Sequence, residues 1–229
     1  MAMTVQASFS DPNYLSSGQA LRMALELRMN KALGKLHDSP PQNTEEAREV
    51  VVCARVWLYL IYLDYQTSLS GGRPLSLHDE GTPESLPKYQ SFLSHPLGQR
   101  SDARLVANVL LLNLQKRISE SVIPVHINYV NALVMELDGW YADYSPKLSL
   151  QPLNRASLRL QLESAKILLY SRALAMFEND EVGLILVQLG GQAVQEALTV
   201  LLRTPEFQAR IPYACQPTLV EMCIFRLPR

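Results

Sequence analysis

Two His-Asp dipeptides, His37-Asp38 and His78-Asp79, are the residues best suited by type to chemistry. A histidine beside a carboxylate is the unit from which helical metallohydrolases build an ion site. Further His and Asp ligands on a helix face converge on the metal, which turns a water into a nucleophile. Here both dipeptides sit in segments broken by proline or glycine, and His95 and His126 stand alone. The plainer reading is solvated loop histidines. Cys53, Cys215 and Cys223 have neither thiolate-activating neighbours nor ligand spacing. A Ser-His-Asp elbow, a phosphate-binding loop, a dinucleotide fingerprint and the Asp-rich motif of helical terpene synthases are all missing, since Gly71-Gly72 and Gly190-Gly191 lack the required flanks. The sequence assigns no catalytic and no metal-binding residue, and a non-enzyme is expected.

One charged pair deserves a structural reading. Asp64 ends an apolar run, Arg55-Val56-Trp57-Leu58-Tyr59-Leu60-Ile61-Tyr62-Leu63. An acid at a helix C-terminus faces the negative end of the dipole, so a nearby cation should relieve it. Arg73 is the candidate, tying the following turn back onto its helix. Gly71, Gly72 and Pro74 terminate the helix, because glycine permits a left-handed cap and proline cannot continue. With Val50, Val51, Val52 and Ala54 added, the helix is apolar all round and is expected to be buried. It is either a central core helix or a pocket wall offering Trp57, Tyr59 and Tyr62. The core reading is simpler, and the two are compatible because apolar pockets are lined by core helices.

The order Arg, Trp, apolar run, Leu-Asp, Ser68, Gly72-Arg73-Pro74 resembles the middle homology region of fungal zinc-cluster (two zinc, six cysteine) transcription factors. Ser17-Gly18-Gln19-Ala20-Leu21-Arg22-Met23-Ala24-Leu25-Glu26-Leu27 is similar to the family's preceding Gly-x-Ala-x-Arg-Met-Ala helix. Asp102-Ala103-Arg104-Leu105 and Glu136-Leu137-Asp138-Gly139-Trp140, where one helix ends in Trp, echo later and weaker elements, so that the resemblance spans most of residues 16 to 175. The stretch from Phe92 to Val106 is similar to the branch that includes regulators of leucine biosynthesis, weak-acid response and secreted proteases. Tyr65 stands where the family often has a basic residue, and Met29-Asn30-Lys31 where it often has His-Arg.

The resemblance implies a regulatory, effector-sensing domain that controls RNA polymerase II transcription in the nucleus. It implies a small-molecule inducer and co-regulator proteins as partners, and allows a homodimer. DNA would be reached only through a zinc-cluster domain, which this chain lacks together with its zinc; no cofactor is expected in the chain itself. The alternatives are a helical protein–protein interaction scaffold and, third, a helical metallohydrolase.

Composition agrees with that reading. Of the 229 residues, 48% are hydrophobic and 19% charged, enough for a sizeable core. The net charge is −1 and the pI about 6.4, and no Lys/Arg run exceeds two, so the chain lacks the basic stripe of a duplex binder. An odd number of unpaired-looking cysteines fits a reducing compartment. No signal peptide is expected at Met1 to Ser10, and the longest apolar run, Val56 to Leu63, is far short of the ~20 residues a membrane span needs. A soluble intracellular protein without membrane contact is expected.

The positioning elements read as all-α, an irregular bundle of six to seven helices. Residues 1–15 are expected to be a flexible lead-in and residues 16–229 a single helical regulatory domain. Periodicity predicts helices over Ser17–Leu36, from an Asn43/Glu46 capping box to near Ser68, over Asp102–Glu120, from Pro124 to Tyr141, over Ser157–Phe177 after an Asn154 cap, over Glu181–Arg203, and a short one over Thr218–Phe225. Residues 71–100 read as a long irregular connection with one turn near Tyr89–Leu93, and Ser145–Pro152 as a loop. Gly190-Gly191 interrupts a helix, either for close helix contact or as a kink beside a cavity. Gln188, on that helix, joins Tyr59 and Tyr62 as a candidate polar anchor for an enclosed effector.

Overall fold

Asn43 and Glu46 start the longest helix in a variant of the capping box, with the return bond made by the Asn43 side chain. The Glu46 amide donates to Asn43 Oδ1 at 2.7 Å, and the Asn43 side chain donates back to Glu46 Oε2 at 3.4 Å. This helix belongs to a computed structural model that describes residues 12–71, 77, 85–120, 127–148, 152–175 and 181–204. Among those residues there are eight α-helices and no strand: α1 (Pro12–Glu26), α2 (Ala32–Asp38), α3 (Thr44–Gly71), α4 (Leu86–Ser94), α5 (Arg100–Glu120), α6 (Ile127–Leu148), α7 (Pro152–Leu174) and α8 (Glu181–Arg203). The protein is all-α, with more helices than expected.

The extra helices have local causes. The helix expected over Ser17–Leu36 is two, because Arg28 takes a left-handed backbone at φ 56° and a 3₁₀ turn, Met29–Lys31, reorients the chain. A non-glycine residue in that region is uncommon, and periodicity cannot reveal it. α1 begins at Pro12, inside the expected lead-in. Pro87 sits in the first turn of α4, where a missing N–H costs nothing, so the prolines of 71–100 punctuate a full helix rather than a single turn. α6 runs through Trp140 and into the first half of the expected loop, ending at Leu148 and carrying Pro146 within it. Pro152 opens α7, and Asn154 lies inside that helix rather than capping it. The helix expected over Thr218–Phe225 lies outside the described residues.

The chain divides into two compact units, Met1–Leu112 and Asn113–Arg229. In the first unit, α2 packs on α3 and α4, and α1 packs on α3. Its core centres on Trp57, Leu58, Ile61, Tyr65 and Phe92, each at most 1% exposed. Tyr65, in the place of a basic residue, is thus a core side chain. Lys35 and Glu46 join α2 to the start of α3 at 2.6 Å, and His37 Nδ1 meets Ser91 Oγ at 2.8 Å between α2 and α4.

In the second unit, α7 is the middle element, contacting α6 on one side and α8 most extensively on the other. The buried seam of α8 is made of Gly183, Leu186, Gly190, Ala193, Ala197 and Leu201. Gly190, one of its small residues, is buried there. Arg117 pairs with Glu136 between α5 and α6, and Lys166 with Asp138 between α7 and α6 at 2.6 Å.

Candidate functional site

The helix carrying Trp57 is not buried on every side. Trp57 is fully buried, but Val52, Val56 and Tyr59 form an exposed apolar stripe, with Tyr59 at 52% exposure. The expectation of all-round burial fails on the face that carries these three residues, which the described neighbours of α3 leave uncovered. Cys53 is likewise half-buried. Tyr62 is half-buried, and its ring lies 6.4 Å from that of Tyr59. Burial raises the Tyr62 phenol pKa, while the positive charge of Arg104 on α5 lowers it. Gln188 is exposed on α8, in the second unit; in the first unit the Tyr59 and Tyr62 rings are neighbours, while Trp57 is buried.

Asp64 is 5% exposed and accepts the Leu77 amide through Oδ2 at 3.0 Å. The acid at the end of the motif therefore holds the chain that follows the Gly-Arg-Pro segment. Gly72, Arg73 and Pro74 lie outside the described residues, as do His78-Asp79 and His126. Ser68, the motif serine, is buried at 4% exposure.

The strongest polar contact involves a pair that spacing does not reveal. Arg55 Nε donates to Asp102 Oδ1 at 2.7 Å, and its terminal nitrogen donates to Asp102 Oδ2 at 2.9 Å and to the Leu97 carbonyl at 2.8 Å. Asp102, only 2% exposed, also accepts the Gln99 amide at 2.7 Å and so shapes the start of α5. The hydrogen bond to Asp102 raises the Arg55 pKa, against the opposing pull of burial. This arrangement clamps the Trp helix to the turn before α5; it positions α5 and performs no chemistry.

Among the described residues, two buried polar atoms in the first unit have no hydrogen-bond partner: the Trp57 indole N–H and the Asn108 side-chain carbonyl. An unmet buried donor or acceptor costs about 1–3 kcal/mol. Such atoms mark where a water or a small polar molecule could be accommodated. Asn108, Arg104 and Asp102 all lie on α5, and only Asp102 and Arg104 fall in a segment the sequence singled out. No group of three His, Cys, Asp or Glu able to hold a metal occurs among the described residues. His37 is engaged by Ser91, and His95 Nδ1 accepts the Leu97 amide at 3.2 Å.

The second unit holds a charge network. Arg159 Nε meets Glu163 at 2.9 Å on α7 and approaches Glu196 on α8 at 3.8 Å. The Glu163 side chain is 3% exposed, and burial raises its pKa more than Arg159 and Lys166 lower it.

The chain is similar to a fungal transcriptional activator. The relative is the transcriptional activator of proteases prtT of Emericella nidulans, 28% identical over 102 residues. The match covers 44% of this chain and 14% of the relative, so the chain corresponds to a small part of that protein's length. No family model matches the chain, and no solved structure matches it.

Proposed function

We propose that this chain is the regulatory, effector-sensing domain of a fungal zinc-cluster transcription factor, acting in the nucleus on RNA polymerase II transcription. The observation that carries the reading is the similarity to a fungal transcriptional activator. The Arg55-to-Asp64 motif supports it, since both of its charged ends make buried structural contacts. The mechanism is control of conformation. A small molecule shifts such a domain only by binding one of its states better than another. The first unit offers donors in Trp57 and Tyr62 and an acceptor in Asn108 for that purpose, and co-regulator proteins would read the resulting state. DNA would be contacted through a separate zinc-cluster domain. The single-domain reading of residues 16–229 is retained as a proposal for one regulatory function carried by two compact units.

The scaffold alternative draws on the exposed apolar residues of α3 and α8, which suit protein contacts. One experiment separates the two. The full chain is placed behind a heterologous DNA-binding domain in a fungal host, and reporter output is followed across a metabolite panel. A metabolite that changes output and also raises the melting temperature of the purified chain is the expected result. Output that responds to no metabolite but changes with co-expressed proteins would replace sensing by scaffolding.

A further inference from the structure

The corner where α1 gives way to α2 carries charge that the fold does not use. Between Pro12 and Lys35 the sequence has four cations and one acid, Glu26, in a chain of net charge −1. Lys35 is engaged by Glu46. Arg22, Arg28 and Lys31 are all exposed, and none of them has an ion-pair partner among the described residues.

Apolar side chains lie beside these cations. Leu21 and Ala24 of α1 face the core, at 6% and 3% exposure, which turns Met23 and Leu27 outward, at 54% and 66%. The Leu27 amide donates to the Met23 carbonyl at 3.0 Å, so the helical path continues to Leu27 and the two side chains are neighbours on one face. The Arg28 amide then donates to the Leu25 carbonyl at 2.9 Å and the Lys31 amide to the Arg28 carbonyl at 3.1 Å, a tight turn that keeps both cations close to Leu27. The backbone of Arg28 is a second, independent sign. Among the described residues it alone, glycines aside, has a positive φ, at φ 56° and ψ 29°. Glycine takes this conformation freely, whereas a residue with a Cβ is strained in it. The chain thus holds a long cation at a turn that glycine would serve with less strain, and residues kept in this way cluster at functional positions.

We propose that Arg22, Met23, Leu27, Arg28 and Lys31 form a docking surface for a protein segment of acidic and apolar composition. The carboxylates of the segment meet the three cations, and its large apolar side chains cover Met23 and Leu27. Charge complementarity of this kind selects the partner and speeds its encounter more than it adds affinity. Glu26, on the same side of α1, opposes such a partner. Two apolar side chains bury too little to hold the chain on a lipid surface, where binding scales with buried apolar area. The face is also small against the roughly 800 Å² per partner of a standard interface, so the contact is weak and reversible. It serves a sensing domain or a scaffold alike and does not depend on a small-molecule effector.

The test is fluorescence anisotropy of labelled synthetic peptides titrated with the full chain. One peptide intersperses Asp and Glu with Leu and Phe, a second has Lys in place of the acids, and a third has Ser in place of the apolar residues. The first should bind much more tightly than the other two, and less tightly as salt is raised. Arg22→Ala, Arg28→Gly and Lys31→Ala should each weaken its binding by about threefold, the scale of an exposed charge pair. Met23→Ser and Leu27→Ser should each weaken it by about tenfold, the scale of an apolar anchor, and Glu26→Gln should tighten it. Arg28→Gly separates binding from folding: the melting temperature should stay unchanged or rise while affinity falls, which an arginine of purely structural role would not show. Failure of the first peptide to bind, equal affinity for all three peptides, or binding untouched by these substitutions overturns the proposal. So does tighter binding of the chain to phosphatidylserine vesicles than to the first peptide, lost in Arg28→Gly, which would make the face a membrane contact.

Discussion

Arg55 and Asp102, 47 residues apart in sequence, form a two-pronged ion pair at 2.7 and 2.9 Å that ties the Trp helix to the start of α5. The planar guanidinium matches the carboxylate edge to edge, a geometry lysine cannot reproduce. Because Asp102 is almost fully buried, the pair's value appears when it is broken. Arg55→Ala leaves a carboxylate inside the fold with only the Gln99 amide described as its donor, and is expected to cost about 3–5 kcal/mol. Arg55→Lys should cost less but should not restore wild-type stability. Urea unfolding of the three proteins gives the comparison. The raised Arg55 pKa means its contribution is fully present below the guanidinium's ordinary range and is lost only on passing the raised value, so it should not vary at physiological pH.

Trp57 should be the largest single contributor to the first unit's core. It is 0% exposed, and Trp57→Ala is expected to cost about 3–5 kcal/mol. Trp57→Phe keeps most of the volume and removes the unpartnered indole N–H. It should therefore cost much less, under about 1.5 kcal/mol. An equal loss in both variants would mean that the indole N–H is engaged in the folded protein, by water or by a bound molecule.

Local signals were legible where local physics decides. The capping box at Asn43 and Glu46, the span of α8 and the burial of Trp57 all follow from residues within a few turns of each other. What the sequence hid was set by contacts across the chain or by backbone. Arg55 and Asp102 were both visible as motif residues, but nothing in their spacing pairs them. The left-handed Arg28 has no compositional sign, since glycine or asparagine would be the residues to suggest it. Pro87 and Pro146 read as breakers, although one occupies a tolerated first turn and the other lies within the last turn of α6. Tyr59 and Gln188 looked like enclosed polar anchors because apolar neighbours suggested burial. Which face of a helix meets a partner is decided by tertiary packing, and that left both exposed.

The buried carboxyl of Glu163 should give the second unit a pH dependence. Its folded pKa is raised above the ordinary carboxylate range, chiefly by burial. The folded state then holds the proton more tightly than the unfolded chain. Stability is greatest below the unfolded value and falls as pH rises from there through the raised one. Glu163→Gln cannot ionise and should lack this component. The melting temperature of the wild type minus that of the variant should therefore fall as pH is raised from acid to neutral. A difference that is flat, or that rises with pH, would show that Arg159 outweighs burial at this site.

Gly190 and Gly191 are adjacent but should respond in opposite ways. Gly190 belongs to the buried seam of α8, whose most extensive neighbour among the described residues is α7. A leucine there must push the two helices apart or distort its own rotamer. Gly190→Leu is expected to destabilise by about 1–3 kcal/mol or more, the range for overpacking a close-packed contact. Gly191 faces open space, so an added methyl meets no obstacle. There the helix-forming advantage of alanine over glycine acts unopposed, and Gly191→Ala should stabilise the chain by about 1 kcal/mol. Chemical denaturation of both variants checks the pair. The contrast rests on which side of one helix each glycine faces. A stabilising Gly190→Leu would show a cavity rather than a close contact between α7 and α8, and a destabilising Gly191→Ala would show that the outer face of α8 is already covered within a single chain.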